Sequence, residues 1–209
     1  MATHLPEDIS PLTLNRLSVY LRCLKRLEDL GTAKISSQEM ARRFHLSAPQ
    51  IRKDLAQFGD FGIRGVGYDV QQLRWRLENV LGLQREHLTI LVGAGNIGSA
   101  LAQFPGLRSG TFRIAAIFDN APEKVGQKVA GLKIRHSRDL IPTVAATGAR
   151  IGILAVPAEA AQENYNLMVE AGIEAVLNFA RTQLDSDPRA RVKTVDLLIF
   201  LEELAFFLR

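Results

Sequence analysis

From Leu14 onward, apolar side chains return every three or four residues, through Leu17, Tyr20, Leu21 and Leu24 to Leu27, and predict an amphipathic helix. Ser10-Pro11 opens it with a capping side chain and a proline at the first helical position, and Gly31 closes it. Two further helices each begin with a capping box, Ser36-x-x-Glu39 and Ser47-x-x-Gln50. Only Phe44-His45-Leu46 lies between them, the spacing of a helix-turn-helix. The third helix, expected over about 48–58, divides by face. Ala48, Ile51, Leu55 and Phe58 form an apolar stripe, and Gln50, Arg52, Lys53 and Gln57 lie mostly away from it.

The pattern then breaks into a glycine-studded stretch, Gly59 to Tyr68, with Arg64 at its centre. It reads as a β-ribbon or wing, the alternative being a plain loop. Beyond it the period shortens. Leu88–Val92 is a short apolar strand running into Gly93-Ala94-Gly95-Asn96-Ile97-Gly98. Ser99 to Phe104 looks helical until Pro105-Gly106 ends it, and Phe112–Phe118 forms a second strand. Ile151–Val156, stopped by Pro157, and Ala175–Phe179 continue the series. The predicted fold class is α/β. A winged-helix DNA-binding domain spans residues 1–80, a Rossmann dinucleotide-binding domain 81–195, and a C-terminal helix 196–209.

The chemistry follows from position. A lone Gly-x-Gly-x-x-Gly is weak, but here strand, glycines, helix and strand are followed by Asp119, 21 residues after Gly98. Gly93 permits the tight turn, Gly95 lets backbone amides approach a pyrophosphate, and Gly98 lets helix and strand pack closely. Ala94, Asn96 and Ile97 complete the phosphate turn at a helix N-terminus that favours anions. Asp119 suits the adenosine ribose hydroxyls and would repel a 2′-phosphate, favouring NAD(H), although Lys124 lies nearby. Ligands of open parallel sheets sit beyond the strand C-termini. Val156, Pro157, Asn178 and Phe179 are therefore candidates for the nicotinamide end, with Pro157 as a mere terminator and Phe179 as a core ring the alternatives.

The final segment, Asp196 to Arg209, places Leu197, Leu198, Ile199, Phe200, Leu201, Leu204, Phe206 and Phe207 nearly all round one helix. Such a helix must be buried, and a second copy of the chain is the simplest cover. With Glu202 and Glu203 in only 14 residues it is too short and too charged for a membrane anchor.

Charge sharpens the division. Residues 1–76 carry 12 Lys/Arg and 8 Asp/Glu, whereas 77–209 carry 14 of each, so the excess positive charge precedes the fingerprint. This fits an anionic partner for the first half. Ser47, Gln50, Arg52 and Lys53 of the third helix are candidates for a major groove, and Arg64, Gly65 and Tyr68 for a wing. The bland alternative is a solvated surface helix. One cysteine, Cys23, within an apolar pattern excludes an internal disulfide and a cysteine-based metal cluster. No apolar run approaches 18 residues and no signal-like N-terminus is present, so a soluble cytoplasmic protein is expected.

With both halves read, the chain resembles the Rex family of redox-sensing transcriptional repressors from about Arg16 to Phe207. The resemblance rests on Arg16-Leu17-x-x-Tyr20-Leu21-Arg22, Ile51-Arg52-Lys53-Asp54-Leu55 with Phe58-Gly59, and Arg64-Gly65-Val66-Gly67-Tyr68. It extends through Gly93 to Leu101, Phe118-Asp119, Val156-Pro157-x-x-Ala160-Ala161-Gln162, Leu177-Asn178-Phe179-Ala180 and Val195-Asp196-Leu197. It implies a homodimer that binds a palindromic operator with NAD+ or at low NADH and leaves it when NADH binds. It also implies a C-terminal helix exchanged between subunits, and an Arg16–Asp196 pair that forms in only one state.

Two positions depart from the family. Phe104 stands where tyrosine is common, and Arg181 where proline usually follows. The main rival is an NAD-dependent oxidoreductase with an accessory DNA-binding domain. No catalytic base–orienter pair is visible around His87 or His136, no substrate domain is present, and neither catalytic residues nor a metal site are expected. A second rival is a transcription factor whose Rossmann domain takes another ligand, such as coenzyme A, against which Asp119 argues.

Overall fold

The computed structural model describes residues 9–59, 61–62 and 66–208. The chain divides into two compact units, Met1–Arg85 and Glu86–Arg209.

In the first unit, helix α1 (Pro11–Asp29) starts where Ser10 Oγ accepts the Thr13 N–H at 3.1 Å. Its apolar stripe buries Leu17, Tyr20, Leu21, Leu24 and Leu27, and Gly31 turns the chain at φ +71°. Strand β1 (Lys34–Ile35), α2 (Ser37–Phe44), α3 (Ala48–Ala56), β2 (Tyr68–Asp69) and α4 (Val70–Val80) follow. Leu73 and Leu77 of α4 close a core with Met40, Ile51 and Leu55, and Leu81 and Leu83 pack on its edge. Both capping boxes form by half. Ser36 Oγ takes the Glu39 N–H at 3.0 Å, but the Glu39 carboxylate turns to Arg42 and Arg43, each 2.6 Å away. Helix α3 ends two residues short of expectation. The Gln57 and Phe58 amides bond only three residues back, and Phe58 is buried from outside the helix. Among the described residues, the glycine stretch contributes a bridge at Gly67 and Tyr68 of β2, which pairs with β1 through Lys34–Asp69 and Ile35–Tyr68; the centre of the expected wing lies outside the described residues.

The second unit is a seven-stranded sheet. Its strands are β3 (His87–Val92), β4 (Phe112–Phe118), β5 (Lys128–Val129), β6 (Leu132–Arg135), β7 (Ile151–Leu154), β8 (Ala175–Asn178) and β9 (Arg191–Thr194). They lie in the order β5-β6-β4-β3-β7-β8-β9, all parallel except the β5 edge. From β6 to β9 this is the doubly wound order, with its switch point between β3 and β7. Both faces are covered. Ile90 and Val92 face a core shared with α7 (Leu140–Thr147) and α8 (Ala158–Glu170), while Leu91 between them faces α5 (Asn96–Gln103). That is why β3 reads, from Leu88 on, as an apolar run interrupted only by the buried Thr89.

Several boundaries shift for one reason. Strand β7 stops at Leu154 and β8 at Asn178 because Ala155-Val156 and Phe179 leave the sheet at its C-terminal edge. Pro105 ends α5 but also starts a short helix, α6 (Pro105–Arg108), its fixed φ suiting a first helical position. Helix α9 (Leu197–Phe206) has no buried residue. Leu197, Leu198, Ile199, Phe200, Leu201, Leu204 and Phe206 are each more than half exposed. No described helix is long and apolar enough to cross a membrane.

Candidate functional site

At the switch point, three glycines do three different things. Gly93 turns at φ +99°, where a Cβ would meet Ala155 O at 2.3 Å. A Cβ on Gly98 would meet Gly93 O at 1.8 Å, so α5 rests directly on the turn. A Cβ on Gly95 would meet nothing within 4 Å. Gly95 is the N-cap of α5, and it has no side chain to occupy the first amides of the helix. Open space over free helix amides suits an anion. Asn96 and Ile97 are exposed beside it, and Ala94 is buried.

Two adjoining grooves share Gly95, Ala155, Val156 and Pro157. One, of about 330 Å³, ends at Asp119, Asn120, Lys124 and Ser137. The other, of about 760 Å³, ends at Phe179, Arg181 and Val195 to Leu198. Together they form an elongated site over the C-terminal edge of β3 and β7.

The Asp119 carboxylate accepts the Ala94 N–H on Oδ2 and the Ala121 N–H on Oδ1, each at 2.8 Å, and Lys124 Nζ sits 3.2 Å from Oδ2. Burial works against its charge, but the Ala121 and Ala94 amides and Lys124 outweigh this and hold the carboxyl below its ordinary range. Three donors leave one lone pair, on Oδ1, for a further hydroxyl. The residues fit a dinucleotide: Asp119 for the ribose, the Gly95–Ile97 amides for the pyrophosphate, and Val156, Pro157 and Phe179 around the far ring. When bound, NAD(H) would supply a ring that is cationic when oxidised and neutral when reduced.

Asn178 lies elsewhere. Its side chain is fully buried and does not line the groove. Nδ2 donates to Thr182 O (3.1 Å) and Thr194 Oγ1 (3.3 Å), and Oδ1 accepts the Ala180 N–H (2.9 Å). It shapes the turn that carries Phe179 and Arg181 into the groove. Phe179 both lines the groove and packs on the core beneath. Sequence reasoning missed Glu159, Val195, Leu197 and Leu198 as lining. β9, with Arg191 and Lys193, lacks an apolar run and gave no signal of a strand delivering them. His87 and His136 lie outside both grooves: His87 stacks on Phe112, and His136 Nδ1 accepts the Arg138 N–H. No cluster of metal-ligating side chains occurs among the described residues.

In the first unit, Ser47, Arg52 and Lys53 are exposed along α3. Arg52 Nη1 donates to Ser37 Oγ at 2.9 Å, and Gln50 Nε2 donates to Asp54 Oδ1 at 2.7 Å. Gln50 is thus turned partly inward. Asp54, fully buried, also receives Arg16 and Tyr20. The Ile51-x-x-Asp54 spacing put that acid on the apolar face, a signal available in the sequence but not used. Tyr68 is half-buried with its ring beside Gly62, and burial pushes its phenol up. Arg64 and Gly65 lie outside the described residues. Phe104 is exposed, and Asp196 caps α9 by accepting the Leu198 N–H at 2.9 Å.

A helix-turn-helix unit with a small two-stranded sheet, joined to a doubly wound dinucleotide fold, defines a ligand-responsive DNA-binding protein. Comparisons agree. Residues 8–56 match a family model described as a putative DNA-binding protein N-terminus, and 84–182 one described as a CoA binding domain. The chain is 41% identical over 208 residues to the redox-sensing transcriptional repressor Rex of Brevibacillus brevis, covering all of both proteins. It is also similar to RSP in complex with β-NAD+ and operator DNA (TM-score 0.91, 32% identity, 97% of this chain and 94% of that one). RSP in complex with β-NADH superposes with TM-score 0.87 and 30% identity, covering 97% and 95%. The chain belongs to the Rex family of redox-sensing transcriptional repressors. Its relatives are named as repressors, not as enzymes.

Proposed function

We propose that this chain represses transcription in the cytoplasm as a homodimer on a palindromic operator, and that NADH binding to the second unit releases it. The observation that carries this reading is the open, side-chain-free start of α5 at Gly95, in a chain that also presents Ser47, Arg52 and Lys53 on α3. A dinucleotide is gripped at its ADP half by Asp119 and the α5 amides, which both redox forms share. Discrimination falls to the other end. Val156 and Phe179 favour a neutral ring over a cationic one, because an apolar surface solvates a charge poorly. If the NADH-bound dimer misplaces its two α3 helices, DNA affinity falls by the reciprocal factor, typically about 1–3 kcal/mol.

Lys53 and Arg52 reach phosphates and base edges, Ser47 the backbone at the start of α3, and Arg64, Gly65 and Tyr68 the adjacent groove. Exposed α9 is the dimerisation helix. Arg16 and Asp196 pair in one state, and for Arg16 to join Asp196 its hold on Asp54 of α3 must loosen. Phe104 lacks a hydroxyl that could steady Asp196.

The test is to titrate NADH, NAD+ and coenzyme A separately against the protein on a palindromic duplex. Release by NADH alone supports the reading; equal release by NADH and NAD+, or by neither, overturns it. Release by coenzyme A would favour the ligand class that describes the matching family model.

A further inference from the structure

Three charged side chains line the Phe179 end of the groove: Arg181, Glu159 and Asp196. They are not equivalent. Asp196 is the N-cap of α9, with Oδ1 on the Leu198 N–H, and Glu159 sits in the first turn of α8. Each carboxylate therefore stands at the positive end of a helix, which offsets about half of its field. Arg181 follows β8 in a turn fixed by Asn178, is exposed, and belongs to no ion pair among the described residues. Phe179 and Arg181 both line the groove, bringing an apolar surface and a cation to the same end.

We propose that Arg181 is a specificity-determining residue that disfavours the oxidised dinucleotide. Resting on the NAD(H) reading above, the inference adds an active penalty to a passive apolar preference. A guanidinium repels the cationic nicotinamide ring of NAD+ and is indifferent to the neutral ring of NADH. Like-charge opposition across a groove is a means of rejecting one partner without improving the other. Arg181 thus lowers occupancy by NAD+, leaving the site for NADH.

The experiment measures NAD+ and NADH affinity by calorimetry for the full-length protein, Arg181→Gln and Arg181→Lys. Arg181→Gln is expected to tighten NAD+ by about three- to tenfold and leave NADH within about twofold. Arg181→Lys, keeping the charge, is expected to stay near the original protein. Raising the salt concentration should narrow the gap between Arg181→Gln and the original. Equal weakening of both forms by Arg181→Gln would mean that the guanidinium holds the shared phosphates, and would overturn the proposal. So would no change in either. If the original protein binds neither form, the dinucleotide reading itself fails, and this inference falls with it.

Discussion

Arg16 on α1 grips Asp54 on α3 with two hydrogen bonds, Nε to Oδ2 at 2.6 Å and Nη2 to Oδ1 at 2.8 Å. Tyr20 Oη donates to Oδ2 at 2.8 Å and Gln50 Nε2 to Oδ1 at 2.7 Å, so four donors fill the buried carboxylate. Burial disfavours its charge, yet the hydrogen bonds from Arg16, Tyr20 and Gln50 prevail and lower its pKa. Burial and the same carboxylate push the Tyr20 phenol up.

A folded-state pKa below the unfolded one means stabilisation that is complete above the ordinary carboxylate range of about pH 4 and lost as pH falls through the folded value. Asp54→Asn should therefore cost about 3 kcal/mol at neutral pH and flatten the acid limb of the stability curve. Urea denaturation at pH 7 and pH 3 reads both. An unchanged acid limb would remove Asp54 as its source.

Gly95→Ala and Gly98→Ala should separate binding from folding. At Gly95 the new methyl enters open space with φ −76°, so the melting temperature should hold while dinucleotide affinity falls at least tenfold. At Gly98 it strikes Gly93 O, so the melting temperature should drop. Thermal scans with NADH fluorescence titrations check both. Equal effects would contradict the division.

Asp119→Ala deprives the Ala94 and Ala121 amides and Lys124 of their acceptor. NADH affinity should fall about 10- to 100-fold, and the freed Lys124 should narrow the preference over NADPH. DNA binding without dinucleotide should persist. Its loss would mean that the substitution damages more than the dinucleotide site.

Lys53→Ala and Arg64→Ala should each weaken operator binding and reduce the magnitude of its salt slope by about one, leaving NADH affinity intact. Gel shifts across a salt series give the slope. An unaltered slope would show that neither side chain meets phosphate.

Leu201→Glu with Leu204→Glu places charge on a helix that buries nothing within the protomer. The fold should survive while light scattering reports monomers and operator affinity collapses. Dimers of the doubly substituted chain would exclude α9 as the interface.

Much of this was legible in sequence because local rules and tertiary structure agreed. The α1 stripe from Leu17 on, the Ser36 and Ser47 caps and the glycine turn rest on short-range physics and formed where expected, whereas Leu14 at the head of the stripe is exposed. The misses were long-range. Asn178 stood at a strand end, the usual place for a ligand contact, but its partners Thr182 and Thr194 made it a brace instead. Gln50 read as a free polar group because Asp54 was not recognised as buried. β9 stayed invisible because it is an edge strand whose Arg191 and Lys193 leave only Val192 to pack on the core.

The last strand and the last helix are separated by only Val195 and Asp196, and Leu197 and Leu198 belong to both α9 and the groove. A ligand filling the groove would therefore touch the root of α9 itself, with no relay of side chains in between. A helix of ten residues is about 15 Å long, so each four degrees of tilt at its root swings its tip by about 1 Å. On the proposed reading, groove and helix would act as a lever with its fulcrum at Asp196, turning a small difference in how a ring is seated into a displacement a neighbouring subunit would feel.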